Sequence, residues 1–310
     1  MTQMPTPDAP LRIGTRGSPL ALAQAHETRD RLAQAHDLPP DCFQIVPIKT
    51  TGDRVQDRAL REVGGKGLFT KEIEEALLDG TIDLAVHSMK DMPVQQPEGL
   101  ILDTWLPRED VRDAFIAPGL GGIADLPQGA VVGTSSLRRR AQLLARRPDL
   151  QVVEFRGNLQ TRMRKLDEGV AQATFLAMAG LNRLGMEVGQ SPIVPEDMLP
   201  AVAQGAIGIE RRMTDNRVAA MLAVLHDAPT AACIRAERAF LATLDGSCET
   251  PIAGLALLVD GGLWLRGEIL RPDGTEVLAG ERRGPVADGE AMGEDLARDL
   301  LSRAGDGFFG

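Results

Sequence analysis

The run Asp83-Leu84-Ala85-Val86-His87-Ser88-Met89-Lys90-Asp91-Met92-Pro93 brings an imidazole, a hydroxyl, an ammonium and a carboxylate together at one point of the chain. Leu84 to Val86 reads as a short buried strand. It ends in His87, Ser88, Lys90 and Asp91, polar groups that no core holds unpaired. A carboxylate beside an ammonium suits proton transfer or the stabilisation of a cation. Ligands of open α/β sheets sit just beyond strand ends of this kind. A lone Lys-Asp pair on a loop has the same appearance, so its meaning depends on what the rest of the chain supplies.

What the rest supplies is arginine at strand ends. Leu11 to Thr15 reads as a strand that runs through Arg16-Gly17 into Ser18-Pro19, where Ser fits an N-cap and Pro the first position of a helix reaching His36. Arg16 opposes the positive end of that helix unless an anion lies between them. Phe43 to Lys49 is a second strand, followed by a polar loop from Thr50 to Leu60. Gly64-Gly65-Lys66-Gly67 lets Lys66 approach a ligand ahead of a helix from Phe69 to Leu78, but it lacks the Walker A spacing. Asp113 to Ala117 and Val131 to Gly133 are further apolar runs. The second enters Thr134-Ser135-Ser136-Leu137-Arg138-Arg139-Arg140, three arginines at a helix start that call for an anionic partner. Gln151 to Phe155 opens on Arg156-Gly157-Asn158, with Arg162 one turn on, and Ala173 to Ala177 leads to Asn182-Arg183. Guanidinium forks at one topological level fit a ligand with several carboxylates or phosphates.

The proline-rich stretch Pro192 to Pro200 leads to a strand from Gln204 to Glu210, a crossing back to the first lobe as in two-lobed binding folds. Ala231 to Leu244 reads as a helix ending at Gly246, and Cys248 follows in a loop. Strands near Leu255–Val259, Leu263–Leu270 and Thr275–Gly280 form an antiparallel meander, and a helix from Ala291 to Ala304 closes a small third domain. The expected domains are 1–105 with 204–225, carrying Asp91; 106–203, rich in arginine; and 226–310, carrying Cys248.

Composition bounds the partners. The formal net charge is −10 over 310 residues, which argues against nucleic acid or an anionic membrane. No segment is apolar over enough residues to span a bilayer, and three cysteines form no disulfide framework, so a cytoplasmic location is expected. Of 34 basic residues only Lys49, Lys66, Lys71, Lys90 and Lys165 are lysines. No Cys or His pair has ligand spacing, and no metal is expected.

Six blocks in order, Leu11-Arg12-Ile13-Gly14-Thr15-Arg16, Gly64-Gly65-Lys66-Gly67-Leu68-Phe69, Ala85-Val86-His87-Ser88-Met89-Lys90-Asp91, Gly133-Thr134-Ser135-Ser136-Leu137-Arg138-Arg139, Arg156-Gly157-Asn158 and Gln204-Gly205-Ala206, make the chain resemble the porphobilinogen deaminases. The resemblance covers nearly the whole chain. It implies an α/β fold of two periplasmic-binding-protein-like lobes of type II around a cleft, plus a small C-terminal α/β domain with an antiparallel sheet. It also implies the head-to-tail condensation of four porphobilinogens, with release of ammonia, to the linear 1-hydroxymethylbilane of tetrapyrrole (haem) biosynthesis. The implied cofactor is a dipyrromethane, joined by a thioether to Cys248. Cys42 and Cys233, within a strand and a helix, read as small buried residues. The implied cofactor ligands are Asp91, Lys90, Ser88, Thr134, Ser135, Ser136, Arg138, Arg139 and Gln204, and substrate carboxylates fall to Arg16, Ser18, Lys66, Arg156, Arg162 and Arg183. Asp91 and Lys90 are the implied catalytic pair, Asp91 acting on pyrrole N–H groups and on the cation formed during condensation. The chain departs from other members at Glu62, where several have lysine, and after the cysteine, where Glu249-Thr250-Pro251-Ile252 replaces Gln-Val-Pro-Ile. A monomer handing its product to uroporphyrinogen-III synthase is expected.

Two other readings were open at this level. A cytoplasmic polycarboxylate-binding module on the same fold needs only the arginines, and gives no role to Asp91 or Cys248. A cysteine hydrolase would need a histidine partner, and among His26, His36, His87 and His226 only His87 is near a site, with no orienting third residue.

Overall fold

The computed structural model describes residues 4–54, 67–246, 250–305 and 307–309. The chain divides into two compact units, Met1–Arg108 with Ala206–Ala231, and Glu109–Gly205 with Ala232–Gly310. In chain order the strands are β1 (Leu11–Arg16), β2 (Phe43–Ile48), β3 (Leu84–Ser88), β4 (Leu100–Trp105), β5 (Asp113–Ile116), β6 (Val131–Gly133), β7 (Gln151–Val153), β8 (Ala173–Ala177), β9 (Ser191–Ile193), β10 (Ile207–Arg212), β11 (Ile252–Val259), β12 (Gly262–Leu270) and β13 (Val277–Gly284).

The first unit is a five-stranded sheet in the order β2-β1-β3-β10-β4. β1 runs parallel to β2 and β3, and β10 is antiparallel to β3 and β4. Its strands are apolar on both faces because helices cover both. On one face Leu11, Ile13, Leu84, Val86, Ile207 and Ile209 pack with Ala25 and Leu32 of the helix Pro19–His36. On the other, Ala85, Ile82 and Leu100 meet Ile73 and Leu77 of the helix Lys71–Leu78. Each such Leu or Ile contributes about 1.5–3 kcal/mol on burial. Ser18 caps the first helix, accepting from Ala21 N at 3.3 Å with Pro19 at the first turn, and Asp37 ends it in the left-handed region at φ 53°.

The second unit holds a sheet with the same plan, β7-β6-β8-β5-β9. β6 runs parallel to β7 and β8, and β5 is the antiparallel strand beside β8, the position β10 has beside β3. The antiparallel meander β11-β12-β13 belongs to this unit too, backed by Phe240 of the helix Ala228–Thr243 and by Leu296 and Leu300 of the helix Gly289–Arg303. Glu237, fully buried, accepts from Ala203 N at 2.6 Å and from Ala256 N at 2.8 Å, tying the helix to the segment before β10 and to β11. Arg266 of β12 pairs with Glu196 at 2.7 Å.

The elements differ from the sequence reading at particular points. The second helix starts at Lys71, since Gly67–Thr70 first forms a turn with Thr70 N on Gly67 O. β10 begins at Ile207, because Ala203 and Gly205 take positive φ (60° and 88°) and turn the chain ahead of it. Thr51–Arg54 is helical where a loop was expected, and residues 55–60 of that loop lie outside the described residues. β4 and β9 were not anticipated. β9 contains Pro192, which an edge strand tolerates.

Candidate functional site

In the first unit β3 delivers its end to a single tight turn, Met89–Asp91. Met89 is buried, with its N–H on Ala206 O at 3.0 Å, and anchors the turn, which leaves Asp91 exposed. Arg16, at the end of β1, brings Nη1 to 3.9 Å from Asp91 Oδ2, and its guanidinium lies over the Phe69 ring at 4.1 Å. The ring holds the guanidinium by a cation–π contact. Ser88 Oγ receives Gln24 Nε2 at 2.8 Å. Arg16, Ser18, Gln24, Phe69, Ser88 and Asp91 line one hollow. A molecule carrying both a carboxylate and N–H donors matches it, the first toward Arg16 and the second toward Asp91. His87 lies against the same hollow, but its Nε2 is engaged by Glu210 Oε2 at 3.1 Å, both side chains buried.

In the second unit the anion demanded by the arginines at the helix Leu137–Arg146 is Asp113, the first residue of β5. Asp113 is 0% exposed and Arg138 and Arg139 are each 5% exposed. Arg138 Nη1 donates to Asp113 Oδ2 at 2.7 Å and to Leu199 O at 2.8 Å, and Arg139 Nη2 donates to Asp113 Oδ1 at 2.7 Å. Burial pushes the Asp113 carboxyl up, but the two guanidinium charges and their hydrogen bonds override this and hold it well below the usual carboxylate range. Arg139 Nε also donates to Oδ1 at 3.1 Å, and Gln204 is a third donating residue, its Nε2 reaching Oδ1 at 3.0 Å and also binding Val111 O. One carboxylate thus serves two cations. Arg162 stands beside them, donating to Gly157 O at 3.0 Å, and burial together with the nearby Arg139 charge draws it down to about 10. Arg156 buries an Nη1 that has no hydrogen-bond partner. Positive charge is in excess here, and a ligand rich in carboxylates relieves it.

The hydroxyls beside the arginines are positioned by the backbone. Thr134 Oγ1 accepts from Ser136 N, Ser135 Oγ from Phe155 N, and Ser136 Oγ caps its helix by accepting from Arg139 N. Each accepts and so keeps its own O–H to donate. Arg183 ends the helix Met178–Arg183 with Nη2 on Gly205 O at 3.0 Å. Of the residues singled out in the sequence, Arg16, Ser18, Ser88, Lys90 and Asp91 belong to the first unit. Thr134, Ser135, Ser136, Arg138, Arg139, Arg156, Arg162, Arg183 and Gln204 belong to the second. Lys66 and Cys248 lie outside the described residues. Cys42 and Cys233 are both buried. The sequence reading missed Asp113, Gln24 and Phe69. A charged residue heading the apolar run Ala114 to Ala117 was the available signal for the first.

Residues 11–220 match the family model described as porphobilinogen deaminase, dipyromethane cofactor binding domain, and residues 231–302 match the model of the porphobilinogen deaminase C-terminal domain. The chain belongs to the porphobilinogen deaminase family. A porphobilinogen deaminase of Paracoccus denitrificans is 68% identical over 310 residues, covering 100% of this chain and 99% of that one. The Nitrobacter winogradskyi protein of the same name is 56% identical over 96% of this chain and 94% of its own, and the chloroplastic one of Pisum sativum 58% over 96% and 83%. Among solved structures, a periplasmic substrate-binding protein of an ABC transporter from Coxiella burnetii is 15% identical with a TM-score of 0.42, covering 71% of this chain and 93% of that one. As a porphobilinogen deaminase the chain is a transferase that condenses four porphobilinogens on a dipyrromethane primer and releases ammonia and 1-hydroxymethylbilane. No single helix among the described residues is long and apolar enough to cross a membrane.

Proposed function

We propose that Asp91 is the catalytic carboxylate of this condensation, with Lys90 beside it, that Arg16 and Ser18 hold the incoming porphobilinogen in the same hollow, and that Ser88 serves the dipyrromethane together with Asp91 and Lys90. What carries the reading is the pair Arg16 and Asp91, opposite charges 3.9 Å apart with an aromatic ring fixing the cation. Arg16 takes a substrate carboxylate, which turns the pyrrole N–H toward Asp91. Asp91 then accepts that N–H and stabilises the positive charge that develops as ammonia departs. Lys90 offers a second cation for an acetate or propionate.

The donors of the second unit suit the dipyrromethane. Arg138 and Arg139, with the O–H groups of Thr134, Ser135 and Ser136, match a group with several carboxylates, while Arg156, Arg162 and Arg183 take substrate carboxylates, one of which gives the orphaned Arg156 Nη1 a partner. Gln204 supports Asp113 and so the orientation of both guanidiniums. When bound, the dipyrromethane supplies the free pyrrole α-carbon on which the product grows. Cys248 is the attachment point in this proposal and Lys66 an additional cation. The domain division at 1–105 with 204–225, 106–203 and 226–310, a cytoplasmic monomer, and hand-over of product to uroporphyrinogen-III synthase complete the reading.

The test is the intact mass of the denatured protein beside Cys248→Ser and Asp91→Asn variants, together with turnover. The expected result is a mass excess of two linked pyrroles on the wild type and on Asp91→Asn, none on Cys248→Ser, and a fall of at least about 100-fold in ammonia release for Asp91→Asn. An Asp91→Asn enzyme at wild-type rate removes Asp91 from this role. A polycarboxylate-binding module would gain no mass from porphobilinogen at all.

A further inference from the structure

We propose that His87, held by Glu210, carries the proton exchanged in each turnover at the Asp91 hollow, an inference that rests on the reading of that hollow as the reaction site. His87 is one of the groups lining the hollow, and behind it stand two buried carboxylates. It shares a face of β3 with Ala85, the face packed against Ile73 and Leu77, and that helix contributes Glu74. Glu210 enters from β10, where it lies opposite Ala85. Glu74, His87 and Glu210 are 8%, 5% and 0% exposed. Glu210 Oε2 meets the ring at 3.1 Å, and its Oε1 is buried with no hydrogen-bond partner.

A buried polar pair such as His87 and Glu210 is weak support for a fold, since apolar residues of similar volume serve stability as well. Here a second carboxylate accompanies the pair. Burial pushes Glu74 up, the Glu210 charge adds to that, and His87 opposes it. Two carboxylates and one imidazole thus stand together in one enclosed place behind the hollow. Among the described residues, Arg16 and Asp91 line the same hollow, Lys90 lies in the turn before Asp91, and Glu75 adds its charge to Glu74 from the same helix. Asp91 is exposed and serves the developing cation, whereas His87 is enclosed and backed by carboxylates.

The proposed step balances. As the aminomethyl C–N bond breaks, its electron pair stays on nitrogen, which leaves as ammonia with a proton from the His87 ring. Once the new carbon–carbon bond has formed, the C–H bond at the receiving pyrrole carbon breaks. Its electron pair restores the ring and its proton returns to His87. Glu210 keeps the ring oriented in both states.

The experiment uses holoenzyme carrying His87→Gln, Glu210→Gln or Asp91→Asn, with ammonia release measured at saturating porphobilinogen from about pH 6 to about pH 9, across the range where imidazole changes charge. His87→Gln is expected to lower the rate about 100-fold and flatten its pH dependence, with KM changed less than about threefold and thermal unfolding unchanged within a few degrees. Glu210→Gln is expected to shift the pH profile. A His87→Gln enzyme with wild-type rate and profile overturns the proposal. An Asp91→Asn enzyme with wild-type rate instead strikes the reading of the hollow, so the two failures are distinct. Should His87→Gln fail to fold, nitrogen NMR of the wild-type imidazole decides. Its ring signals are expected to change when porphobilinogen is added, and unchanged signals overturn the proposal.

Discussion

Asp113 shows how a single side chain can hide behind the residues it serves. The arginines at 138 and 139 were legible as a cluster in need of an anion, yet their partner lies 25 positions upstream of Arg138 and shares no local pattern with it. Nothing in the 44 acidic residues of the sequence marks which one the fold encloses. Asp113→Asn leaves two buried guanidiniums short of a charge and is expected to cost about 3–5 kcal/mol, measured by urea unfolding at neutral pH. The sign with pH follows from the depressed folded value. The unfolded state binds the proton more readily, so the contribution is complete above the unfolded carboxylate range near about 4 and is lost as pH falls below it. The stability gap between wild type and Asp113→Asn should therefore narrow in acid below about pH 4. Arg162 has the opposite balance. Its guanidinium is charged at the expense of burial and of repulsion from Arg139. Arg162→Met is expected to raise the melting temperature of the cofactor-free protein by about 2–4 °C, as about 1 kcal/mol would do in a domain of this size, while lowering the cofactor content seen by mass. A drop in melting temperature would show that Arg162 serves the fold instead.

At the scale of elements, the strand-end logic of the sequence held for β1, β3 and β6, whose apolar runs end where the polar residues begin, whereas β8 is followed by the apolar Met178 to Leu181 before Asn182 and Arg183. It failed for β4, whose alternation includes Asp103 and Thr104, and for β9, where a proline interrupts a three-residue edge strand. Such segments become strands because a neighbour offers a ladder, which local pattern does not reveal. Gly208 of β10 illustrates the dependence. A Cβ there would overlap Met89 Sδ and lie 3.1 Å from Leu102 Cδ2, so the absence of a side chain is what lets Met89 seat beneath the Lys90-Asp91 turn. Gly208→Ala is expected to cost about 1–3 kcal/mol through overpacking, and to lower turnover more than porphobilinogen affinity because the turn carrying Asp91 is displaced. Unchanged turnover in a destabilised variant would separate the two effects.

Across the molecule, the α/β class, the two lobes and the antiparallel C-terminal meander were legible from sequence order and the resemblance, whereas the ties between elements came only with the structure. Glu237 sits inside a helix that looks ordinary in sequence, and its two backbone partners, Ala203 and Ala256, are 34 and 19 residues away. Glu237→Ala strands both buried N–H groups and is expected to cost about 2–6 kcal/mol at about 1–3 kcal/mol per unsatisfied donor, read as an earlier loss of β11 protection in hydrogen exchange. Gly274 is a second tie. It holds φ 77° in the turn before β13, and a Cβ there would meet Ala141 O and Ala145 N of the arginine-bearing helix at 2.7 Å each, so Gly274→Ala should loosen the meander from that helix and reduce its protection too. The shared strand plan has its own outcome during synthesis. β5 to β9 are contiguous in the chain, and their sheet can close as soon as residues 113–193 have left the ribosome. β3 and β4 are neighbours in sequence but not in space, because β10 separates them. At about 5–20 residues per second, the nascent first sheet waits several seconds with an open slot between β3 and β4, so of the two five-stranded sheets the one that begins first is finished second.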